Sequence, residues 1–221
     1  MTISAPRLVR VPAAERGITI GDFLVPIRVG ERTSARVRHV ELVVLGALVI
    51  ALSANVVIPI AGTPVPVTGQ TFGVLVVGTA LGFRRGVAAA VLYLLLGLFL
   101  PVYAEHASGI DTFATLEGGL HLAPTGGYLL GFVVAAGLTG RLAELGWDRT
   151  PGAAVAAMML GTLTIYAVGI PWLAASLGVT LEKAITLGLV PFVIGDALKV
   201  VVAAALLRGT WWAIGRRSID R

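Results

Sequence analysis

The sequence has no cysteine, so disulfides, thiolate nucleophiles and cysteine-held metals are excluded at once. Charge is almost as scarce. Only 13% of the 221 residues are Asp, Glu, Lys or Arg, where a soluble domain carries about 25%. The shortage is concentrated: residues 42–83 and 150–181 hold no charged side chain, and a water-facing surface cannot be built from such stretches. The histidines, His39, His106 and His121, form no short-range ligand pattern, and nothing calls for a metal or another cofactor. A Gly-x-Ser-x-Gly elbow, a phosphate-cradling Walker loop and a His-Glu-x-x-His pair are all missing. The chain therefore has no enzymatic constellation and no ATPase site of its own. Active transport would need a partner or an ion gradient.

What remains is 57% hydrophobic, and the bilayer is the natural solvent for it. The reading is an all-α integral membrane protein. Roughly 20 apolar residues cross a bilayer, and six spans fit: about 40–60, 68–83, 87–103, 125–142, 153–177 and 187–214. Residues 1–38 read as a basic tail, 39–215 as the six-helix domain with a long connection over 104–124, and 216–221 as a second basic tail. No apolar run before a cleavage site marks the tail as a secretory signal. The net charge of +5 does not indicate nucleic acid, because the basic residues sit in short clusters between apolar spans. If both termini are cytoplasmic, 15 of the 17 Lys and Arg residues fall on that side, as the positive-inside rule requires. The chain is thus expected as a multi-pass protein of the cell membrane.

Three clusters could carry chemistry. Gly195-Asp-Ala-Leu-Lys199 sets Asp196 and Lys199 three apart on one helix face inside an apolar run. Intramembrane charges are costly and usually face a cavity or the protein interior. The pair is either a packing ion pair or a site offering a carboxylate beside an ammonium. Such a site suits a ligand with N–H donors and a carbonyl. Thr68 and Gln70 follow a stiff Pro64-Val-Pro66 turn; Thr68 could serve as an N-cap, but a lipid-facing Gln70 would be left unsatisfied. Pro124-Thr-Gly-Gly-Tyr128 opens a further span, with Thr125, Gly127 and Tyr128 either at a plain helix start or around a ligand. All three lie at the same ends of spans two, four and six, next to the long connection, and together they describe one externally facing pocket. Ala47 and Ala51 form a small-xxx-small pair in span one, suited to internal packing or to a partner membrane protein.

The runs Pro66-Val-Thr-Gly-Gln-Thr-Phe-Gly73, Ala80-Leu-Gly-Phe-Arg-Arg-Gly86, Tyr93-Leu-Leu-Leu-Gly97, Leu100-Pro-Val-Tyr103, Pro124-Thr-Gly-Gly-Tyr-Leu-Leu-Gly131 and Gly195-Asp-Ala-Leu-Lys199 resemble the BioY family. These are biotin-specific S components of energy-coupling-factor (ECF) transporters, and the likeness covers about residues 40–210. It implies a six-helix S-component bundle that captures biotin in an outward pocket. Delivery inward would then involve a transmembrane coupling protein and two cytoplasmic ATPases. It implies Asp196 and Lys199 as contacts for the ureido ring, Gln70 and Tyr128 as pocket-lining residues, and the Ala47/Ala51 face as the docking face. The sequence departs from the family at two points: Gly69 stands where leucine is usual, and residues 101–127 lack the Arg that commonly holds biotin's carboxylate. Other readings are an S component for another vitamin, a proton-coupled secondary transporter using Asp196, and a membrane scaffold.

Overall fold

The structure, a computed structural model, describes residues 18–24, 35–116 and 120–219. Among the described residues, seven helices of two turns or more follow one another: α1 Ala35–Ala54, α2 Gln70–Leu81, α3 Phe83–Gly97, α4 Gly126–Glu144, α5 Pro151–Leu177, α6 Leu181–Gly188 and α7 Val193–Ile219. Two short antiparallel pairs complete the framework at one end. In the first, β1 Val57–Ile58 pairs with β2 Val67–Thr68; in the second, β3 Ala114–Thr115 pairs with β4 His121–Leu122. Among the described residues, the helical segments 36–54, 126–144, 151–177 and 181–214 are long and apolar enough to cross a membrane. The apolar α2, at 12 residues, is shorter.

Boundaries differ from the expected spans for local reasons. Arg84 and Arg85 do not separate two spans but lie in the first turn of α3. The break is Gly82, whose φ of 81° is open to glycine and costly for other residues. The last expected span is divided. After α6 the chain passes through a 3₁₀ turn, Val190–Phe192, containing Pro191, whose missing N–H cannot continue a helical ladder. Asp196 consequently sits in the first turn of α7. Helix α1 begins at Ala35 and α7 continues to Ile219, so both run a few residues into the segments read as basic tails. Residues 1–17, 25–34 and 220–221 of those tails lie outside the described residues.

Helix α4 is the hub, packed against α2, α3 and α5. Its buried face includes Gly131, Ala135, Ala136 and Gly140, small side chains that let helix backbones approach where no hydrophobic force separates lipid from protein. The interior is closed by Leu42, Ile50, Leu75, Met158, Ile165, Leu173 and Leu207, while Leu52, Phe99, Ile194 and Leu198 point outward. An apolar outer surface around an apolar core is the pattern of a helix bundle solvated by lipid.

The Ala47–Ala51 pair requires a correction. Ala47 is completely buried in the core and Ala51 is half-buried against it. The outward face of α1 is formed instead by Val40, Val44, Leu45, Leu48, Val49 and Leu52. Ala47 therefore serves close packing of α1 on the bundle and offers no surface to a partner in this structure.

Candidate functional site

At the end of the bundle capped by the two hairpins lies a cavity of about 160 Å³. Its walls come from almost every element. The β1–β2 connection and the start of α2 give Pro64, Val65, Pro66, Thr68, Gln70 and Thr71. The start of α4 gives Thr125, Tyr128, Leu129 and Phe132. Helix α5 adds Thr162, Ile165 and Tyr166, the approach to α7 adds Phe192, and α7 adds Asp196 and Lys199. The connection after α3 closes the rim with Tyr103, Ala104, Glu105, Ala107 and Thr112.

The charged centre is tightly organised. Lys199 Nζ donates to Asp196 Oδ1 at 2.9 Å and to Thr71 Oγ1 at 2.9 Å. Tyr166 Oη donates to the other carboxylate oxygen, Oδ2. Asp196 is 6% exposed, so leaving it unpaired would be strongly destabilising. Two of the three ammonium hydrogens are engaged by these bonds, and each carboxylate oxygen keeps acceptor capacity. The pair therefore stabilises itself and still presents a donor and acceptors at the cavity wall.

Gln70 is held at the start of α2 by its neighbours. Its Nε2 donates to Tyr93 Oη on α3, and its Oε1 accepts from Thr68 Oγ1 at 3.0 Å. Thr68 Oγ1 also accepts the Gln70 backbone N–H at 3.3 Å, so its role at the α2 start and its place in the cavity wall coincide. Tyr128 Oη donates to the Gly188 carbonyl at 3.0 Å, tying α4 to the end of α6, and its ring meets Tyr166 edge to face. Thr125 precedes α4 without a side-chain capping bond and lines the cavity.

Gly127 is the residue whose expected role changes most. It does not line the cavity; a Cβ there would lie 2.2 Å from Trp172 Cβ. Its lack of a side chain lets α4 close against Trp172, whose indole N–H donates to the Ala123 carbonyl at 2.8 Å. Ser176 donates to the Leu122 carbonyl at 2.7 Å, so α5 fastens the β3–β4 hairpin over the site. Gly69 has a similar cause. A Cβ there would approach the Ser53 carbonyl to 2.4 Å, so the end of α1 excludes any larger residue at this position.

Sequence reading thus placed Thr68, Gln70, Thr125, Tyr128, Asp196 and Lys199 at one end of the bundle, and the fold brings them to one cavity. It missed Tyr166, Thr162 and the rim residues Tyr103 and Glu105. A signal for the first two existed: Thr162 and Tyr166 are four apart in an otherwise apolar helix, on one face. The long connection was marked as lying beside the pocket, but which of its residues form the rim depends on how it folds back over α3.

A model of the BioY family matches residues 30–216. The chain belongs to the BioY family. Several relatives are named "Biotin transporter BioY". That of Rhizobium etli is 36% identical, over 73% of this chain and 86% of the relative. That of Rhodobacter capsulatus is 35% identical over 77% and 92%, and that of Thermotoga maritima 37% over 71% and 86%. Among solved structures, the S-component for biotin from an ECF-type ABC transporter matches with a TM-score of 0.69 at 24% identity. It covers 80% of this chain and 92% of that one. The two share a fold. The BioY match begins at residue 30, so the one-turn helix Gly21–Leu24 lies outside it.

Proposed function

We propose that this chain is the biotin-capturing membrane subunit of a vitamin importer. The observation that carries the proposal is the Asp196–Lys199 pair, buried at the wall of a cavity and cross-linked to Tyr166 and Thr71. Biotin's fused ureido ring has two N–H groups and a carbonyl. The carboxylate would accept from the N–H groups and the free ammonium hydrogen would donate to the carbonyl, in surroundings where charge-assisted bonds are strong. The ring's other face is apolar, as are Phe132, Ile165 and Phe192 on the wall. Gln70, Thr68, Thr125 and Tyr128 shape the remainder of the pocket.

In this reading α1–α5 and α7 make six crossings, and α6 lies at the outer end. α2 and α3 are short at 12 and 15 residues; α2 is mostly buried within the bundle, while α3 turns Val91 and Leu95 outward. Arg36, Arg38, Arg84, Arg85, Arg141, Arg149 and Arg208 all belong to the end opposite the cavity. The positive-inside rule puts that end in the cytoplasm of the cell membrane and opens the cavity outward. A transmembrane coupling protein and two ATPases supply the energy. Uptake of labelled biotin by cells making this chain with and without those partners tests the reading. Saturable uptake that needs Asp196 is expected. Uptake abolished by collapsing the proton gradient, with no ATPase present, would instead favour a proton-coupled carrier.

A further inference from the structure

The arginine-rich end of the bundle holds a second recess, which biotin capture does not use. It is an open depression of about 460 Å³ beside the first turns of α1 and α3. His39 on α1, Arg84 and Arg85 on α3 and Glu144 at the end of α4 form its polar wall. Thr19 and Asp22 complete that wall from a segment that precedes the family match. The floor is apolar, made by Val43, Leu81 and Ala88. Ala88 is exposed, and Val91 and Leu95, three and seven residues further along α3, are exposed on the same face. The recess thus joins a polar rim to surface that lipid covers.

Its charges are not balanced. Asp22 accepts from Arg38 at 3.1 Å and from Arg85 at 2.9 Å. Glu144 accepts the Phe83 backbone N–H at 2.9 Å and pairs with Arg141 at 3.0 Å. Both carboxylates are therefore engaged. With Arg84 included, four arginines face two acids, an excess of two positive charges. Arg84 is exposed and holds no ion pair or side-chain hydrogen bond among the described residues. Arg85 gives Nε to His39 Nδ1 at 2.8 Å and Nη1 to Asp22, while its Nη2 has no assigned acceptor. Because His39 accepts at Nδ1, its ring hydrogen sits on Nε2 and is a further donor. Guanidinium forks of this kind match phosphate oxygens.

We infer that this recess binds the phosphate of an anionic phospholipid in the inner leaflet. Arg84 is the main contact, Arg85 and His39 donate beside it, and an acyl chain runs along Ala88, Val91 and Leu95. Basic recesses between helices at the cytoplasmic side suit anionic head groups. A soluble phosphate would leave the apolar floor uncovered, so a lipid is the occupant. Asp22 builds the site by fixing Arg85 and Arg38, which makes it a feature of the segment ahead of the family match. The inference uses the orientation proposed above and is independent of the vitamin.

The test is native mass spectrometry of the delipidated, detergent-purified full chain. Phosphatidylglycerol, phosphatidylcholine with the same acyl chains and glycerol 3-phosphate are titrated into the wild type, Arg84→Gln and Arg208→Gln. Arg208 is exposed on α7 and does not line the recess. One phosphatidylglycerol should bind per chain, about tenfold tighter than phosphatidylcholine. Arg84→Gln should weaken it about fivefold, and Arg208→Gln by less than about twofold. Equal binding of the two lipids overturns the inference. So does an equal loss in both variants, which would mean diffuse attraction to a basic end. Displacement of phosphatidylglycerol by an equal concentration of glycerol 3-phosphate would make the site one for soluble phosphate and would also overturn it. Biotin titration into Arg84→Gln should match the wild type, so failure here is distinct from failure of the biotin reading.

Discussion

The two ends of the bundle handle polar groups in opposite ways. At the end away from the cavity, charges are matched directly to one another or to backbone. Asp22 takes Arg38 at 3.1 Å and Arg85 at 2.9 Å, and Arg85 Nε donates to His39 Nδ1 at 2.8 Å. Glu144 accepts the Phe83 backbone N–H at 2.9 Å and pairs with Arg141. Asp148 accepts from the Trp211 indole at 2.7 Å, and Trp211 lies under Arg149 and against Phe23. At the cavity end, Asp196, Lys199, Tyr166 and Thr71 are equally well paired, but around a space that no side chain fills. Pairing offsets much of the cost of burial at both ends, although Asp148 Oδ1 has no hydrogen-bond partner. At the cavity end the pair turns acceptors and a donor towards an enclosed space, whereas the depression beside Asp22, Arg84, Arg85 and Glu144 at the other end is more open, so neither a buried ion pair nor a void alone marks a site.

Substitutions can break that contrast. The largest effect on binding is expected from Asp196→Asn or Lys199→Ala, each of which loses at least about 100-fold in biotin affinity, since a buried hydrogen-bonded charge is left without its partner. The double variant Asp196→Asn/Lys199→Met should recover thermal stability without recovering binding. Recovery of both would make the pair a packing device like those at the other end. Gly127→Leu should lower Tm steeply or prevent folding, because Trp172 occupies the space.

Asp148 provides a comparable test at the opposite end. Burial pushes its carboxyl up to about 6 from 3.8, outweighing the Trp211 bond and the Arg149 charge. Between those values the folded chain holds a proton that the unfolded chain has released, so stability falls as pH rises from about 4 to about 6 and is level above. The total is roughly 3 kcal/mol. Asp148→Asn should flatten the curve and raise Tm at pH 8 with biotin affinity unchanged. Tyr166→Phe should weaken biotin about tenfold with little change in Tm, through loss of one charge-assisted bond.

Smallest of all is Asp22→Asn. Burial raises its pKa, but the Thr19 backbone N–H and Arg85 more than offset that, and the carboxyl ends below its ordinary value. Its contribution is present above pH 4 and lost as pH falls through the lowered value. Half-exposed ion pairs are worth about 1 kcal/mol or less. Thermal unfolding from pH 2 to 7 would show the shallow loss.

Much of the site was legible because its chemistry violates its surroundings. Asp196 and Lys199 stand out against an apolar helix, and Gln70 against an apolar start to α2. Tyr166 was marked only by sharing a helix face with Thr162 in an apolar span, a weaker signal than a charge. Its partnership with Asp196 depends on α5 crossing α7. Gly127 was legible as important but for the wrong cause. Sequence shows that a side chain is missing, while only packing shows whether ligand or Trp172 fills the space. Ala47 fails in the same way: small residues mark close approach, and the approach is internal. Hydropathy placed the long helices well, yet it ran through Pro191 and joined what the fold divides, because an apolar window does not register a missing N–H.

The measurement closest to the central claim is calorimetric titration of biotin into the detergent-purified chain, beside Asp196→Asn and Lys199→Ala. The account predicts saturable one-to-one binding by the wild type, lost in both variants while their circular dichroism stays helical. Equal binding by all three would show that the buried pair is not the ureido site and would contradict the account.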